Sequence, residues 1–555
     1  MSAATESHSL RSSLQYEPVE LQFGTSGRRG KLVDLTQLEV YINALAELEY
    51  LQSLAPSEGG IVRGDEFYFA RDLRPSATSF IPEMGGRGEI AQAIVAAIRD
   101  AGMRPVNLGK IPSPALACYA LQRGQGSIMV TGSHIPFDRN GYKTNTSRGE
   151  LLKQHEAPID EQVRSVRQRL YGQPLAESLF DEQGRFQCGH QDLPEESDAA
   201  RDAWIGRFTS FFRGASLAGK RLLVYQHSAV GRDLLVEVLE LLGAEVIAAG
   251  RSDTFVAIDT ENISAPRLAV MQALADEAAA RHGRVDAIVS TDGDSDRPLI
   301  LGVDPATGRA HFFGGDLVGM VVAEYLQADA VVVPITCNDA VDRGKLAAVV
   351  QPKTRIGSPF VIAGMELARG AGKQRVCGWE PNGGFLTGSE IERNGGVLPP
   401  LLTRDAILPI LGVLFAATES GLSLVELFGR LSKRFSRAAL LADFPQSLGR
   451  KIMTAFTPDE ADPNKTPHAI RERLATFFTP QAGFGNIARV DYTDGVRILF
   501  DNGEVAHVRP SGNADELRIY AVADTQARAD AMVALGVAEP DGILRRLQRA
   551  VADSE

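Results

Sequence analysis

Residues 126–143 read GSIMVTGSHIPFDRNGYK. Ser127-Ile128-Met129-Val130 is a short apolar run that stops at Thr131-Gly132, the pattern of a buried strand closed by a turn. Ser133 and His134 therefore fall at the C-terminal end of a strand, where open α/β sheets bind ligands. Pro136 and the Asn140-Gly141 pair predict turns, with Lys143 after them as a cation able to fold back towards the serine. A hydroxyl, an imidazole and an ammonium gathered in one loop suit a serine that carries a phosphoryl group. A Ser-His pair alone is commonplace in polar loops. Here four other loops of matching chemistry accompany it.

Upstream, Tyr68-Phe69-Ala70 and Val106-Asn107-Leu108-Gly109 predict two further strands, and the spans 38–54 and 89–101 two helices, the second with Gly102 in a capping position. Between them lie the loops Arg71-Asp72-Leu73-Arg74-Pro75 and Pro112-Ser113-Pro114. Downstream, Arg221-Leu222-Leu223-Val224-Tyr225 opens a second unit that closes with Asp286-Ala287-Ile288-Val289-Ser290. A third begins near Gly314-Gly315-Asp316 and carries Ala330-Val331-Val332-Val333 and Gln374-Arg375-Val376-Cys377. The last contains a hairpin-like stretch at 494–503 and a closing helix. Strands alternating with helices predict an α/β protein with mixed or largely parallel sheets. Residues 101–110 (AGMRPVNLGK) also resemble residues 242–251 (LGAEVIAAGR): helix end, glycine, strand, glycine, basic residue. That is what duplicated α/β domains leave behind.

A chain of 555 residues is too long for one core and predicts about three to four domains. Its net charge of −12 argues against nucleic acid or an anionic membrane as the main partner, while leaving room for a small anion held by local basic loops. Cys118, Cys188, Cys337 and Cys377 are far apart and form no C-x-x-C pair, as expected of free thiols in a reducing compartment. The first residues have no apolar core and read as a loose tail rather than a signal peptide. The longest strongly apolar run, 406–417, is too short to span a bilayer and predicts a buried helix. A cytoplasmic location is expected, and the Asn145-Thr146-Ser147 sequon then has no secretory context.

Thr291-Asp292-Gly293-Asp294-Ser295-Asp296-Arg297 follows an apolar strand at once. Carboxylates at i, i+2 and i+4 of an extended loop point to one side, which suits a hard divalent cation. An EF-hand is excluded, because its sixth position would be Arg297 and its twelfth Val303. Arg509-Pro510-Ser511-Gly512-Asn513 offers a guanidinium, a hydroxyl, small-residue amides and a side-chain amide, a set able to wrap a phosphate. Glu380 and Asn382, beside glycines, suit hydrogen bonds to sugar hydroxyls. Arg28 and Arg29 stand in a glycine-spaced loop, Phe23-Gly24-Thr25-Ser26-Gly27-Arg28-Arg29-Gly30, that permits close backbone approach.

Together these loops resemble, in order and spacing and over nearly the whole chain, those of the α-D-phosphohexomutases (phosphomannomutases and phosphoglucomutases). GTSGRRG is similar to that family's first motif, TGSHIPFDRNGYK to its phosphoserine loop, DGDSDR to its metal loop, GWEPNGG to its sugar loop and RPSGNADELRIY to its phosphate loop. The resemblance implies three related α/β domains with mixed sheets and a smaller C-terminal α+β domain around a central cleft. The expected division is a flexible tail at 1–20, a phosphoserine domain at 21–195, a metal-binding domain at 196–308, a sugar-binding domain at 309–440 and a phosphate-binding domain at 441–555. A hinge is expected between Ser436 and Phe456.

It further implies that Ser133 carries the phosphoryl group and that Mg²⁺ is held by Asp292, Asp294 and Asp296 with an oxygen on Ser133. Lys143, Arg29 and Arg297 would surround the transferring group, Glu380 and Asn382 the sugar, and Arg509, Ser511, Gly512 and Asn513 the other phosphate. Three departures stand out: Gly132 and Ile135 for Ala and Asn, Asn382 and Gly384 for Ser and His, and Asn513-Ala514-Asp515 for Thr-Glu-Pro. With no histidine at 384, proton transfer would rest on Lys143, Arg29 or His134. The implied reaction moves phosphate between O1 and O6 of a hexose, with phosphorylated Ser133 as donor and hexose 1,6-bisphosphate as intermediate and activator. Mannose phosphate is the first expected substrate and glucose phosphate the second, handled by a monomer or homodimer. A phosphoglucomutase, a phosphosugar-binding relative without activity and a serine-based phosphatase are the alternatives.

Overall fold

The computed structural model describes residues 8–24, 27–261, 263–458, 467–511 and 515–552. They divide into two compact units, one of residues 1–318 with 382–427 and one of residues 319–381 with 428–555. The chain is an α/β protein with mixed sheets and an antiparallel C-terminal sheet.

The first unit contains two sheets of one topology. In one, Glu66–Arg71 is flanked in parallel by Arg104–Lys110 and Ser127–Val130, and Arg139–Thr146 runs antiparallel to Ser127–Val130. In the other, Arg221–His227 is flanked in parallel by Glu245–Arg251 and Ala287–Thr291, and Pro298–Val303 runs antiparallel to Ala287–Thr291. The repeated segments take the same place in both, as edge strands bracketed by left-handed glycines: Gly102 (φ 76°) and Gly109 (φ 72°) in one, Gly243 (φ 93°) and Gly250 (φ 65°) in the other. Those backbone angles exclude most side chains, which is why the glycine spacing recurs. Ser133 and Asp292 thus leave equivalent strands of equivalent sheets.

Both strands are buried along their whole length, so neither shows the polar alternation of a half-exposed strand. Against the first sheet lie the helices Gln37–Ser53 and Ile90–Asp100. The Thr36 side chain accepts from Glu39 N to start the former. Phe67, Phe69, Ile128 and Val130 are wholly buried in the core those elements share, each contributing about 1.5–3 kcal/mol relative to exposure.

The apolar run expected as a buried helix is the helix Ile407–Ser420. Asp405, just before it, accepts from Ile407 N (2.7 Å) and Leu408 N (3.3 Å). Burial pushes this carboxyl up to about 6, against the pull of Arg207 and the two amides. The folded protein therefore holds a proton that the unfolded chain releases near pH 4, and stability falls as pH rises from there through about 6, by roughly 3 kcal/mol. Asp405→Asn keeps the accepting oxygen and removes that loss. Urea midpoints across this range should diverge in the variant's favour as pH rises. Parallel curves would show that Asp405 is ionised throughout.

In the second unit, Ala330–Val332 and Val376–Trp379 pair in parallel. The C-terminal sheet runs Phe435–Leu441, Leu517–Ala523, Val505–Pro510, Val496–Phe500, Ile487–Asp491, antiparallel throughout. Its core gathers Phe444, Phe456, Ile498, Phe500, Ile519 and Leu544. No described helix is long and apolar enough to cross a membrane. No disulfide joins the cysteines among the described residues, and three of them are buried while Cys188 is exposed.

Three expectations change. Asn140-Gly141 is not a turn but lies inside the strand Arg139–Thr146, because the Asn140 amide donates to Ser76 Oγ (2.8 Å) and Gly141 admits the neighbouring backbone, where a Cβ would strike Arg28 O. The segment 1–20 is not loose from residue 8 onward: Leu10 is wholly buried and its N–H donates to Gln173 O (2.7 Å). Residues 494–503 form not a hairpin but one strand shared by two, since Val496–Phe500 pairs on both sides. The C-terminal sheet itself begins at Phe435, the first residue of a strand paired along its length.

Candidate active site

Ser133 adopts a left-handed backbone (φ 52°), a conformation a non-glycine residue keeps only when its surroundings impose it. The imposing groups are Thr131, Asp72 and Arg74. Ser133 N donates to Thr131 Oγ1 (2.7 Å), which donates to Asp72 Oδ2 (2.8 Å). The Arg74 guanidinium, buried, donates to the carbonyls of Ser133 (3.1 Å), Ile135 (2.6 Å), Pro136 (2.9 Å) and Arg139 (3.0 Å). Its other face lies 3.7 Å from the centre of the Phe255 ring. A Cβ on residue 132 would sit 2.7 Å from Arg74 Cζ, a physical reason for glycine there.

The ends of the two equivalent strands meet at Ser133 Oγ, which donates to Asp292 Oδ2 (2.9 Å). Asp292 Oδ1 accepts from the backbone of Asp296 (3.1 Å) and Arg297 (3.2 Å), closing the aspartate loop on itself. Asp294 Oδ2 accepts from Lys143 Nζ (2.6 Å) and Ser113 Oγ (2.6 Å). Asp296 Oδ2 accepts from Lys143 Nζ (2.9 Å) and from Arg404 Nε (3.1 Å) and Nη2 (2.8 Å). All three carboxylates are buried, with one oxygen of each inside a 4.8 Å span. Asp294 Oδ1 and Asp296 Oδ1 are buried without a hydrogen-bond partner. Anionic oxygens so enclosed without a hydrogen bond are costly, and hard oxygen donors at this spacing fit a small divalent cation.

Burial and the neighbouring Asp294 and Asp296 push Asp292 well above the usual carboxylate range. Although burial opposes it, Arg404, Lys143 and Arg297 hold Asp296 well below that range; Lys143 and Ser113 lower Asp294 against burial and Asp296. Arg297 Nε lies 3.5 Å from Asp296 Oδ1. Arg29 keeps part of its surface open while its Nε is buried, and desolvation lowers it to about 10. His134 Nδ1 lies 3.3 Å from Ser133 Oγ. Arg297, burial and Arg29 push that imidazole down to about 2, so it is neutral.

The structure therefore brings together Ser133, His134, Lys143, Arg29, Asp292, Asp294, Asp296 and Arg297. Lys143 reaches the group not from a turn but from the strand beside the serine strand, level with Met129. Arg28 is not part of it: its guanidinium is buried against Glu47 (2.7 Å) and Leu21 O (2.8 Å). Asn382 is buried and turns its side-chain oxygen to Gly384 N (2.9 Å). Glu380, in the second unit, is buried just after the strand Val376–Trp379. Arg509 Nε lies 3.4 Å from Asp494 Oδ1, and Ser511 N donates to Glu516 O (2.9 Å). Gly512 and Asn513 lie outside the described residues.

Sequence reasoning missed Arg74, Ser113 and Arg404. Arg74 had a usable signal, since it follows a predicted strand's C-terminal end just as Ser133 does. Ser113 had a weaker one in its Pro-Ser-Pro setting, and Arg404 had none.

Three family models describing phosphoglucomutase/phosphomannomutase match the chain: alpha/beta/alpha domain I at residues 20–170, alpha/beta/alpha domain III at 314–435 and the C-terminal domain at 458–535. A phosphomannomutase of Sinorhizobium fredii is 36% identical over 93% of this chain and 98% of its own length. One from Salmonella muenchen is 36% identical over 92% and 93%. Among solved structures, a phosphoglucomutase/phosphomannomutase family protein from Burkholderia thailandensis shares the fold with a TM-score of 0.63 at 16% identity, covering 95% of this chain and 97% of that one. An Aspergillus fumigatus N-acetylphosphoglucosamine mutase, solved with GlcNAc-6P and magnesium, gives 0.53 at 15% identity over 98% of each chain.

Proposed function

Because the chain belongs to the α-D-phosphohexomutase family, we propose that it is a phosphomannomutase that moves phosphate between O1 and O6 of a hexose through phosphorylated Ser133. The observation that carries this reading is one buried cluster in which a strained serine, a lysine and three aspartates meet across two sheets. Mannose phosphate is the first substrate because the two full-length relatives at 36% identity are phosphomannomutases.

Asp292, Asp294 and Asp296 would hold Mg²⁺, with an oxygen on Ser133 completing the set, and Asp294 Oδ1 and Asp296 Oδ1 are the oxygens left open for it. When bound, the ion neutralises charge on phosphoryl oxygens. The chain's own part is positioning and charge balance, which dominate phosphoryl transfer. Arg74 and Thr131 hold Ser133 in its strained backbone with Oγ towards Asp292. Lys143, Arg29 and Arg297 place positive charge around the transferring group, where it spreads over three oxygens. A substrate hydroxyl attacks phosphorus as the Ser133 Oγ–P bond breaks, forming a bisphosphate, and the hydroxyl's proton passes to the departing Oγ. The bisphosphate turns over and returns its other phosphoryl group to Oγ, breaking that sugar O–P bond. Proton exchange at Oγ falls to the neutral His134. Glu380 and Asn382 hold sugar hydroxyls, and Arg509, Ser511, Gly512 and Asn513 the phosphate that is not being transferred.

Mannose and glucose differ only at C2, and a site that grips the shared C3 and C4 hydroxyls loses no contact on exchanging them. Both hexose 1-phosphates should therefore react, mannose the better. The test is a pair of kcat/KM values measured with a trace of hexose 1,6-bisphosphate. A preference for glucose above about a hundredfold, roughly 2.7 kcal/mol of transition-state discrimination, would overturn the assignment. Free phosphate as the product would instead identify a phosphatase, and no product a binding protein.

A further inference from the structure

Arg404, which no motif marked, and Gly384, which lacks the side chain expected at its place in the sugar loop, occupy one space. Arg404 stands on the strand Leu401–Asp405 and is 3% exposed. Its aliphatic stem runs directly over the Gly384 Cα. A Cβ at 384 would lie 2.5 Å from Arg404 Cδ, 2.7 Å from Cγ and 2.9 Å from Cβ. These are stem atoms of an enclosed side chain, so the arginine cannot swing aside as an exposed one would. Gly384 carries no positive φ, so space alone, and not backbone conformation, accounts for the glycine.

Where the stem leads is the second observation. Two guanidinium nitrogens of Arg404 converge on one oxygen, Asp296 Oδ2, at 3.1 and 2.8 Å. The same oxygen accepts from Lys143. Three donors occupy Oδ2, and Oδ1 remains buried with no hydrogen bond, Arg297 Nε lying 3.5 Å from it. An ammonium reaches such an oxygen with one N–H, whereas the planar guanidinium sets two N–H groups on it at fixed geometry, so Arg404 keeps Oδ2 turned towards itself and Oδ1 turned away.

We propose that Arg404 is a positioning residue of the transfer centre, that it aims Asp296 Oδ1 at the divalent cation, and that residue 384 is glycine because the Arg404 stem needs its Cβ space. The inference rests on the phosphomutase reading above. It adds a fourth cation to Lys143, Arg29 and Arg297, delivered from a strand that carries none of the recognised loops.

Arg404→Lys separates orientation from charge, because it keeps the cation and loses the fork. In the full-length protein, Mn²⁺ binding read by the loss of free-ion EPR signal should weaken about tenfold. The turnover number should fall about a hundredfold while KM for the hexose phosphate changes less than threefold. Gly384→Ala, which displaces the stem, should reproduce both losses. To guard against variants that merely fold poorly, Gly384→Ala is also made on Arg404→Ala, where the stem is gone. There it should change Mn²⁺ affinity and turnover by less than twofold. Wild-type Mn²⁺ affinity and turnover in Arg404→Lys would overturn the proposal, as would an equal cost of Gly384→Ala in both backgrounds. Failure of the underlying reading looks different, since the unmodified protein would then neither bind Mn²⁺ nor interconvert hexose phosphates.

Discussion

Replacing Ser133 by alanine is expected to abolish mutase turnover, a loss of at least ~10⁴-fold in kcat, while leaving divalent-cation binding within a few-fold of the wild type. The expectation follows from the division of labour at the site. Ser133 Oγ is the hydroxyl that donates to Asp292 Oδ2 where the two equivalent strands end. Ser113, the other serine hydroxyl on an aspartate there, donates to Asp294 Oδ2, on the carboxylate side that Lys143 already occupies. The three carboxylates remain, so the cation still has its oxygen donors. Intact mass after incubation with hexose 1,6-bisphosphate gives a direct readout: the wild type should gain one phosphoryl group and the variant none. Wild-type turnover in Ser133→Ala would remove the phosphoserine mechanism altogether.

Lys143→Met should have the second-largest effect, and its signature has two signs. Lys143 Nζ bridges Asp294 (2.6 Å) and Asp296 (2.9 Å) from a buried position. Removing a cation from the transferring phosphoryl group should lower kcat by about 10³-fold. It also removes the competitor for the two carboxylates, so Mn²⁺ should bind about tenfold tighter. Breaking a buried ion pair leaves an uncompensated charge, and the metal-free variant should lose about 3 kcal/mol of stability near neutral pH. Mn²⁺ should restore most of that loss. Thermal unfolding with and without the ion measures it, and a variant whose stability ignores Mn²⁺ would place the cation elsewhere.

Much of this architecture was legible in one dimension because its signals are local. An apolar run such as Ser127–Val130 or Ala287–Thr291 declares a strand within a handful of residues. The polar loop that follows it declares which end of the sheet bears chemistry. The glycine spacing around 101–110 and 242–251 likewise announced two sheets of one topology, because left-handed turns admit little else. Local signals also misled. Asn140-Gly141 has turn composition, yet packing against Arg28 drew it into a strand. The N-terminal segment has a tail's composition, yet Leu10 finds a core in residues far along the chain.

The sequence by itself therefore determined the alternating strands and helices, the two duplicated units, the three aspartates in one loop and the serine in its matching loop. Only the tertiary structure decided which donor holds which oxygen. Ser113 meets Asp294 across 181 positions and Arg404 meets Asp296 across 108, and nothing in the neighbourhood of either donor records the meeting. The physical reason is one of range. Backbone preference and hydrophobic period act over a few residues, whereas a buried carboxylate takes whichever donors the packing of two sheets brings within 3 Å.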